Sequence, residues 1–340
     1  MPPKCELQSS LLERVLARYP KKTAAVDALM DVLNVNRDGI YRRLRNDTLL
    51  SAPEIQTLAT TFDISLDEVL SGKDNKISFS YNLYDQPVSS FLHFLGQINQ
   101  HLKVFTRQPG FRVFYSSREL PIFIYKMFPR LLSFKLYVYG LTTWHFSYLQ
   151  EKKFSFDLLT PADLETAEST SRMFCAIDST DLWTLTILEQ TLSQIEFMVH
   201  AGRFTSPDIA MAVSREVLEV VRHCRAMAEA GKKFMPGFTP SEANGNFNLF
   251  SNELAGTSNT ILAISDHQYG LYNTLDSPNF IYTTNPRICR SVEDWFRNLL
   301  NESIALSVHS GMSRNIYFNK LEQRTEQHLK KMEYIFGSYS

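Results

Sequence analysis

Val26-Asp-Ala-Leu-Met-Asp-Val-Leu-Asn-Val-Asn-Arg-Asp-Gly-Ile-Tyr-Arg-Arg-Leu44 is the stretch on which the reading of this chain turns. Val26, Leu29, Met30 and Leu33 recur at helical spacing, so a helix over about Thr23–Leu33 is expected to bury one stripe. Asn34 then falls where the chain must turn sharply, and Asn tolerates left-handed backbone better than most residues. Asn36 is placed to cap a second helix from Arg37 to about Arg45 through its side-chain carbonyl. At 100° per residue, Ile40 and Leu44 share one face of that helix. Asp38, Arg42 and Arg45 point the opposite way, with Tyr41 at the border and Arg43 on a flank. Helix, turn and a helix with one greasy and one cationic side form the geometry that docks in a DNA major groove.

The neighbouring sequence extends this into a bundle of about five short helices over residues 1–72. Leu7, Leu11, Val15 and Tyr19 mark an apolar stripe ahead of Pro20, which ends the first helix. Ser51-Ala-Pro-Glu54 is a capping box opening a helix with Ile55, Leu58, Ala59 and Phe62 on one side. Ser65-Leu-Asp-Glu68 is a second capping box, and Gly72 closes the unit. Residues 73–87, beginning Lys-Asp-Asn-Lys and ending Asp-Gln-Pro, read as a linker.

The block Leu29–Leu70 resembles the helix-turn-helix domains of the phage-repressor (Cro/C1-like) family. The residues that carry the resemblance are Leu33-Asn-Val-Asn-Arg-Asp-Gly-Ile-Tyr-Arg-Arg-Leu44 and Glu54-Ile-Gln-Thr-Leu-Ala-Thr-Thr-Phe-Asp-Ile-Ser-Leu-Asp-Glu68. It is most similar to a bacterial group in which this domain precedes a large, uncharacterised C-terminal region. Arg118-Glu-Leu-Pro121 with Phe134-Lys135 also resembles that group. So do Phe247-Asn-Leu-Phe-Ser-Asn-Glu253 with Asn259-Thr-Ile-Leu262, and the stretch Ser303–Phe318. Met30 departs from the family, which often has a small residue there. The resemblance implies a sequence-specific, DNA-binding bacterial transcription regulator with double-stranded DNA as partner. Its contact residues would be Arg37, Asp38, Tyr41, Arg42, Arg43 and Arg45, because a guanidinium can bond guanine or phosphate, Tyr phosphate or a thymine methyl, and Asp cytosine.

Composition bounds the rest. The chain has 340 residues, enough for about two domains. Apolar residues make up 44% and charged residues 21%, as in ordinary globular proteins. The formal net charge is -1, so a nucleic-acid surface must be local. Asp27, Asp31, Asp63, Asp67 and Glu68 offset the arginines of the first segment, so one module should bind modestly. That argues for a homodimer on a two-part site. A candidate seam is Phe91, Leu95, Ile98, Leu102 and Phe105, spaced four, three, four, three; an ordinary core helix is the competing reading.

Residues 88–340 are expected to form an oligomerisation or sensor region. It reads as helical over 88–235, apart from a strand at Phe111–Tyr115, and strand-bearing over 245–340. Strands are predicted at Phe247–Phe250, Thr260–Ile264, Tyr269–Tyr272 and Phe280–Thr283, followed by helices over Ser291–Ser307 and Asn315–Phe336. The fold class expected is therefore α+β, mainly helical: an N-terminal helix-turn-helix bundle, then a larger helical region with a small C-terminal sheet. Asn252, Glu253, Asn259, Ser307, Arg314 and Asn315 are candidate ligand-binding groups for an unidentified small-molecule effector, with capping and strand-edge duties as their alternative. Trp144, Trp183 and Trp295 read as core.

Nothing points to an enzyme. There is no Gly-x-Ser-x-Gly, no His-Glu-x-x-His and no phosphate-binding glycine loop; Gly231-Lys-Lys233 lacks the preceding glycine. Asp178 and Asp181 around Ser179-Thr180 read as a helix cap. The eight histidines are dispersed and the four cysteines (Cys5, Cys175, Cys224, Cys289) are far apart, so no metal and no cofactor are expected. No membrane span and no secretory signal are seen, and the cytoplasm is the expected compartment. Two other functions stay open: a protein-interaction module, and a nucleotide- or metabolite-binding effector fused to a DNA-binding head.

Overall fold

The computed structural model describes residues 5–62, 64–70, 77–81, 87–254, 256, 259–266 and 268–337. The chain divides into two compact units, Met1–Phe79 and Ser80–Ser340. Gly72 and the first part of the linker, 73–76, lie outside the described residues, as do 82–86 and the side chain of Glu68.

Among its described residues the first unit forms helices and connecting turns: α1 (Glu6–Leu16), α2 (Lys22–Leu33), α3 (Arg37–Leu44), α4 (Ala52–Thr61) and α5 (Leu66–Leu70). Its core joins Leu11 and Val15 of α1, Val26 and Leu29 of α2, Ile40 of α3 and Leu58 of α4, as the apolar stripes predict. One polar side chain is buried with them. Gln8, 1% exposed, donates to the carbonyls of Arg43 (2.7 Å) and Thr48 (3.0 Å) and accepts from the Leu50 N–H (2.6 Å). With donors and acceptor all satisfied, it ties α1 to the loop that follows α3.

The second unit is α+β and mainly helical. In chain order it comprises β1 (Ser80–Tyr81), α6 (Phe91–Thr106), β2 (Arg112–Ser117), α7 (Ile122–Tyr125), α8 (Pro129–Thr142), α9 (Pro161–Cys175) and β3 (Asp178–Trp183). There follow α10 (Glu189–His200), α11 (Pro207–Ala230), β4 (Phe247–Ser251), β5 (Thr260–Ile264), β6 (Tyr269–Thr274) and β7 (Phe280–Thr283). The last elements are α12 (Pro286–Asn301), β8 (Ile304–Ala305) and α13 (Gly311–Gly337).

The strands form one eight-stranded sheet in the order β1-β7-β6-β5-β2-β3-β4-β8. The pairs β2–β3 and β3–β4 are parallel and the remainder antiparallel. Register sorts the side chains by face, since they alternate along each strand. Val113 pairs with Ser179 and Ala263, and Tyr115 with Asp181 and Ile261, so these residues share one face. Phe114, Leu262, Ile264 and Leu271 lie on the other face, where Cys289 and Phe296 of α12 complete a separate apolar cluster.

Several expectations are corrected here. The sheet is not a small C-terminal one: β2 and β3, from the half expected to be mainly helical, sit in its interior. Asp178 and Asp181 belong to β3 rather than to a helix cap, because pairing on both sides with β2 and β4 outweighs the local turn chemistry of Asp-Ser-Thr-Asp. The linker contains β1, whose Ser80 and Tyr81 pair with Tyr282 and Ile281. The helix expected over Ser291–Ser307 starts earlier, with Asn285 as cap and Pro286 in its first turn, and gives way to β8. Finally, the stripe on α6 is spent inside the unit: Phe91, Leu95 and Leu102 are buried in its main core, with Ile98 packed against it. The core-helix reading of that stripe is the one observed.

Candidate nucleic-acid interface and recessed cavity

The turn between α2 and α3 is built by two residues of unlike kind. Asn34 ends α2 in the left-handed region (φ 50°, ψ 47°). Asn36 then caps α3, its side-chain oxygen accepting from the Gly39 N–H at 2.9 Å. Gly39, which the sequence reading did not single out, is needed for closeness. A Cβ there would come within 2.4 Å of Val35 Cγ1, so helix and turn fit together only over a hydrogen.

On α3, Ile40 is fully buried and Leu44 packs against the same core. Arg37, Asp38, Arg42 and Arg45 are exposed, and Tyr41 is half-buried. Each exposed guanidinium rests on a carboxylate of its own unit. Arg37 pairs with Asp27, Arg42 with Asp38 at 3.1 Å and Arg45 with Asp47 at 2.8 Å. All three arginine side chains remain more than half exposed, at 53%, 59% and 58%. Such pairs are worth roughly 0–1 kcal/mol, so they give way easily to a stronger anion.

Arg43 differs. Its side chain is only 14% exposed, bonds Glu54 at 2.6 Å and donates to the Gly39 carbonyl at 3.2 Å. Glu54 also closes the capping box of α4, accepting from the Ser51 N–H at 2.7 Å. Burial pushes the Glu54 carboxyl up, but the Ser51 N–H, the Ser51 hydroxyl and Arg43 together outweigh it and hold it below its ordinary value. Arg43 is therefore engaged in holding α3 to α4. At the other end of the motif, α2 begins without a side-chain cap or an acidic residue in its first turn, and Lys21 and Lys22 are both exposed there.

The six candidate ligand-binding residues of the second unit do not converge. Asn252 donates to the Glu302 carbonyl and Ser303 Oγ, and Glu253 accepts from the Leu185 N–H. Ser307 bridges the Phe247 carbonyl and the Leu249 N–H. Arg314 donates to the carbonyls of Leu306 and Val308, and Asn315 accepts from Arg225. Those five stitch loops and helix ends. Asn259, by contrast, borders a cavity.

That cavity, about 170 Å³, is recessed between the Val113–Tyr115–Ile261 face of the sheet and the helices α6, α7 and α9. Phe94, Phe105, Phe123, Phe174, Tyr272 and Phe280 give it aromatic walls. Polar groups gather at Glu119, which is 8% exposed. Glu119 Oε1 accepts from Asn259 Nδ2 at 2.8 Å and Ser277 Oγ at 3.1 Å. Its Oε2 lies 3.6 Å from Lys135 Nζ and accepts no hydrogen bond from the described residues. Lys135, fully buried, donates to Gln194 Oε1 at 3.0 Å. Nearby, Tyr125 and Tyr139 share a hydrogen bond of 3.1 Å, and burial pushes the Tyr125 hydroxyl well up.

Behind Phe174 lies a second buried polar group. Lys233 Nζ sits 4.0 Å from the centre of that ring, and Asp181 is fully buried on β3. Burial raises Asp181 to about 6 and lowers Lys233 to about 8, each partly offset by the other's charge. The cysteines form no disulfide, and burial pushes the thiols of Cys175 and Cys289 up to about 11. Trp183 is buried in the main core, with Trp144 packed against it, and Trp295 borders the α12 cluster. Among the described residues, no three His, Cys, Asp or Glu side chains are grouped to hold a metal ion, and no helix is long and apolar enough to cross a membrane. The chain matches no protein-family model, no curated protein and no solved structure.

Proposed function

We propose that this protein is a sequence-specific DNA-binding transcription regulator of the Cro/C1-like kind, with α3 as the helix that enters the major groove. One observation carries the reading. Three guanidinium groups stand more than half exposed around α3 while Ile40 is fully buried in the bundle. A helix seated on one side and cationic on the other is what groove docking requires. The start of α2 supports it: uncapped N–H groups and two lysines make a place for a phosphate, since the helix dipole there favours an anion. In this reading Arg42 and Arg45 face bases or phosphates, Arg37 and Tyr41 flank them, and Arg43 keeps α3 in position. The compartment is the cytoplasm, the working form a homodimer on a two-part site, and the second unit serves oligomerisation or ligand sensing.

Selection of bound sequences from a random DNA pool, followed by fluorescence anisotropy on the winner, tests this. Affinity should fall steeply with salt, as counterions are released from each neutralised phosphate. Changing Arg42→Ala and Arg45→Ala together should weaken binding at least about tenfold, with the fold intact by circular dichroism. Undiminished binding by the double variant would remove α3 from the interface. An empty selection would favour a protein-interaction role for the bundle instead.

A further inference from the structure

We propose that the recessed cavity of the second unit binds a compact, uncharged, largely apolar molecule of aromatic-ring size, whose hydrogen-bond-donating head meets Glu119 Oε2. This does not rest on the DNA-binding reading.

Protein interiors are packed to crystal-like density, and voids larger than a water molecule are few. Here about 170 Å³ lies open at a point where the sheet and α6 both present large side chains. An apolar cavity of about 150 Å³ is enough to take up benzene. The walls dictate an apolar body: Phe94, Phe105 and Phe123 from the helices face Val113, Ile261 and Tyr272 from the sheet.

The head follows from Glu119. Its Oε1 is saturated by Asn259 and Ser277, which fixes the carboxylate's orientation. Its Oε2 faces Lys135 at 3.6 Å but accepts no hydrogen bond from the described residues, and a buried acceptor lacking one is costly. The complement is a donor, such as a phenolic hydroxyl. Charge on the ligand is disfavoured in both senses. Lys135 already faces the carboxylate at 3.6 Å, so a cationic head would compete with an existing partner. An anionic head would meet Glu119 itself. Asn259 takes its place here as an orienting residue: its Oδ1 accepts from the Arg118 N–H at 2.9 Å while its amide holds Glu119. One side chain thus joins the start of β5 to the segment after β2.

The test is isothermal titration of the full chain with four matched probes: 4-ethylphenol, 4-ethylanisole, ethylbenzene and 4-ethylbenzoate. The phenol should bind at least about tenfold tighter than the anisole or the hydrocarbon, the worth of one hydrogen bond to a charged acceptor. The benzoate should bind weakest. Ala263→Phe, which fills the cavity from the sheet side, should abolish phenol binding. Should that variant not fold, Ile98→Trp fills it from α6. Equal affinity for phenol and anisole would overturn the donor-head assignment, as would tightest binding of the benzoate. Binding that survives the filling variants, or no binding of any probe, would overturn the site.

Discussion

Lys126 has its ammonium in a place where charge is expensive. The residue is 3% exposed, its Nζ has no hydrogen-bond partner among the described residues, and its nearest compensation is the faces of Phe94 and Phe123, each 5.8 Å away. Burial lowers its pKa from the ordinary lysine value to about 7. The folded form therefore holds this proton less tightly than the unfolded chain. The resulting penalty is fully present below about pH 7 and is relieved as pH rises toward the unfolded value. Each unit of displacement is worth about 1.4 kcal/mol, so the penalty is on the order of a few kcal/mol. Lys126→Met should stabilise the second unit, by most at pH 5–6 and progressively less between pH 7 and 10. Urea titrations of variant and parent across that range check this, and a gain that does not change with pH would show the ammonium to be solvated. Arg43 offers a contrasting case, a cation whose two terminal nitrogens each have a partner. Its half-buried bonds to Glu54 and to the Gly39 carbonyl predict that Arg43→Ala lowers the stability of the first unit by about 1–2 kcal/mol. Arg42→Ala and Arg45→Ala, whose pairs are exposed, should stay within about 0.5 kcal/mol of the parent. Thermal melts of the three variants separate the arginine that holds the helix from those free to meet a ligand.

The turn at Asn34 shows how one residue type fixes an element boundary. At φ 50° and ψ 47° a Cβ without a local hydrogen-bonding group costs about 1–2 kcal/mol, and glycine nothing. Asn34→Ala should therefore destabilise the bundle by about 1 kcal/mol while Asn34→Gly stays near the parent, measurable as a lowered melting temperature for the alanine variant alone. This turn was legible in the sequence, as were the Asn36 cap, the Ser51–Glu54 capping box and the limits of β5 and β7, because each is set by neighbours along the chain. What was not legible is set by partners far away. Asp178-Ser-Thr-Asp181 has the chemistry of a helix start, and only its ladders to Arg112–Ser117 and Phe247–Ser251 make it a strand. The two-residue strands β1 and β8 carry no periodicity at all. The cavity escaped for the same reason: its walls come from stretches between Phe94 and Phe280, each of which reads locally as ordinary core. Of the polar residues expected to meet a ligand, Ser307 spends its hydroxyl on the backbone of β4, and Arg314 spends its guanidinium on the carbonyls of Leu306 and Val308 just after β8.

The chain divides at Phe79 and Ser80, inside the span that reads as linker, and the division has consequences for how the protein can be cut. The first unit owns a closed core from Leu11 to Val69 and internal partners for Gln8, Arg43 and Glu54. Residues 1–79 should accordingly fold alone, with a cooperative, helical melt. A core of this size rarely supplies more than about 3–5 kcal/mol, so its stability should lie there. For the second unit the starting residue matters. Tyr81 extends the sheet beyond β7, and its hydroxyl lies 3.2 Å from Asp276 Oδ1 and accepts from Asn279 Nδ2 at 3.2 Å. A fragment 80–340 retains this edge, whereas 88–340, cut where the sequence places the linker's end, loses two backbone pairings and the Tyr81 contacts. Net hydrogen bonds of this kind contribute about 1 kcal/mol each and some here are exposed, so the shorter fragment should be less stable by about 1–2 kcal/mol. Differential scanning calorimetry of the two fragments decides it. Equal melting temperatures would mean that β1 only decorates the edge, and that the second unit begins, energetically, at α6.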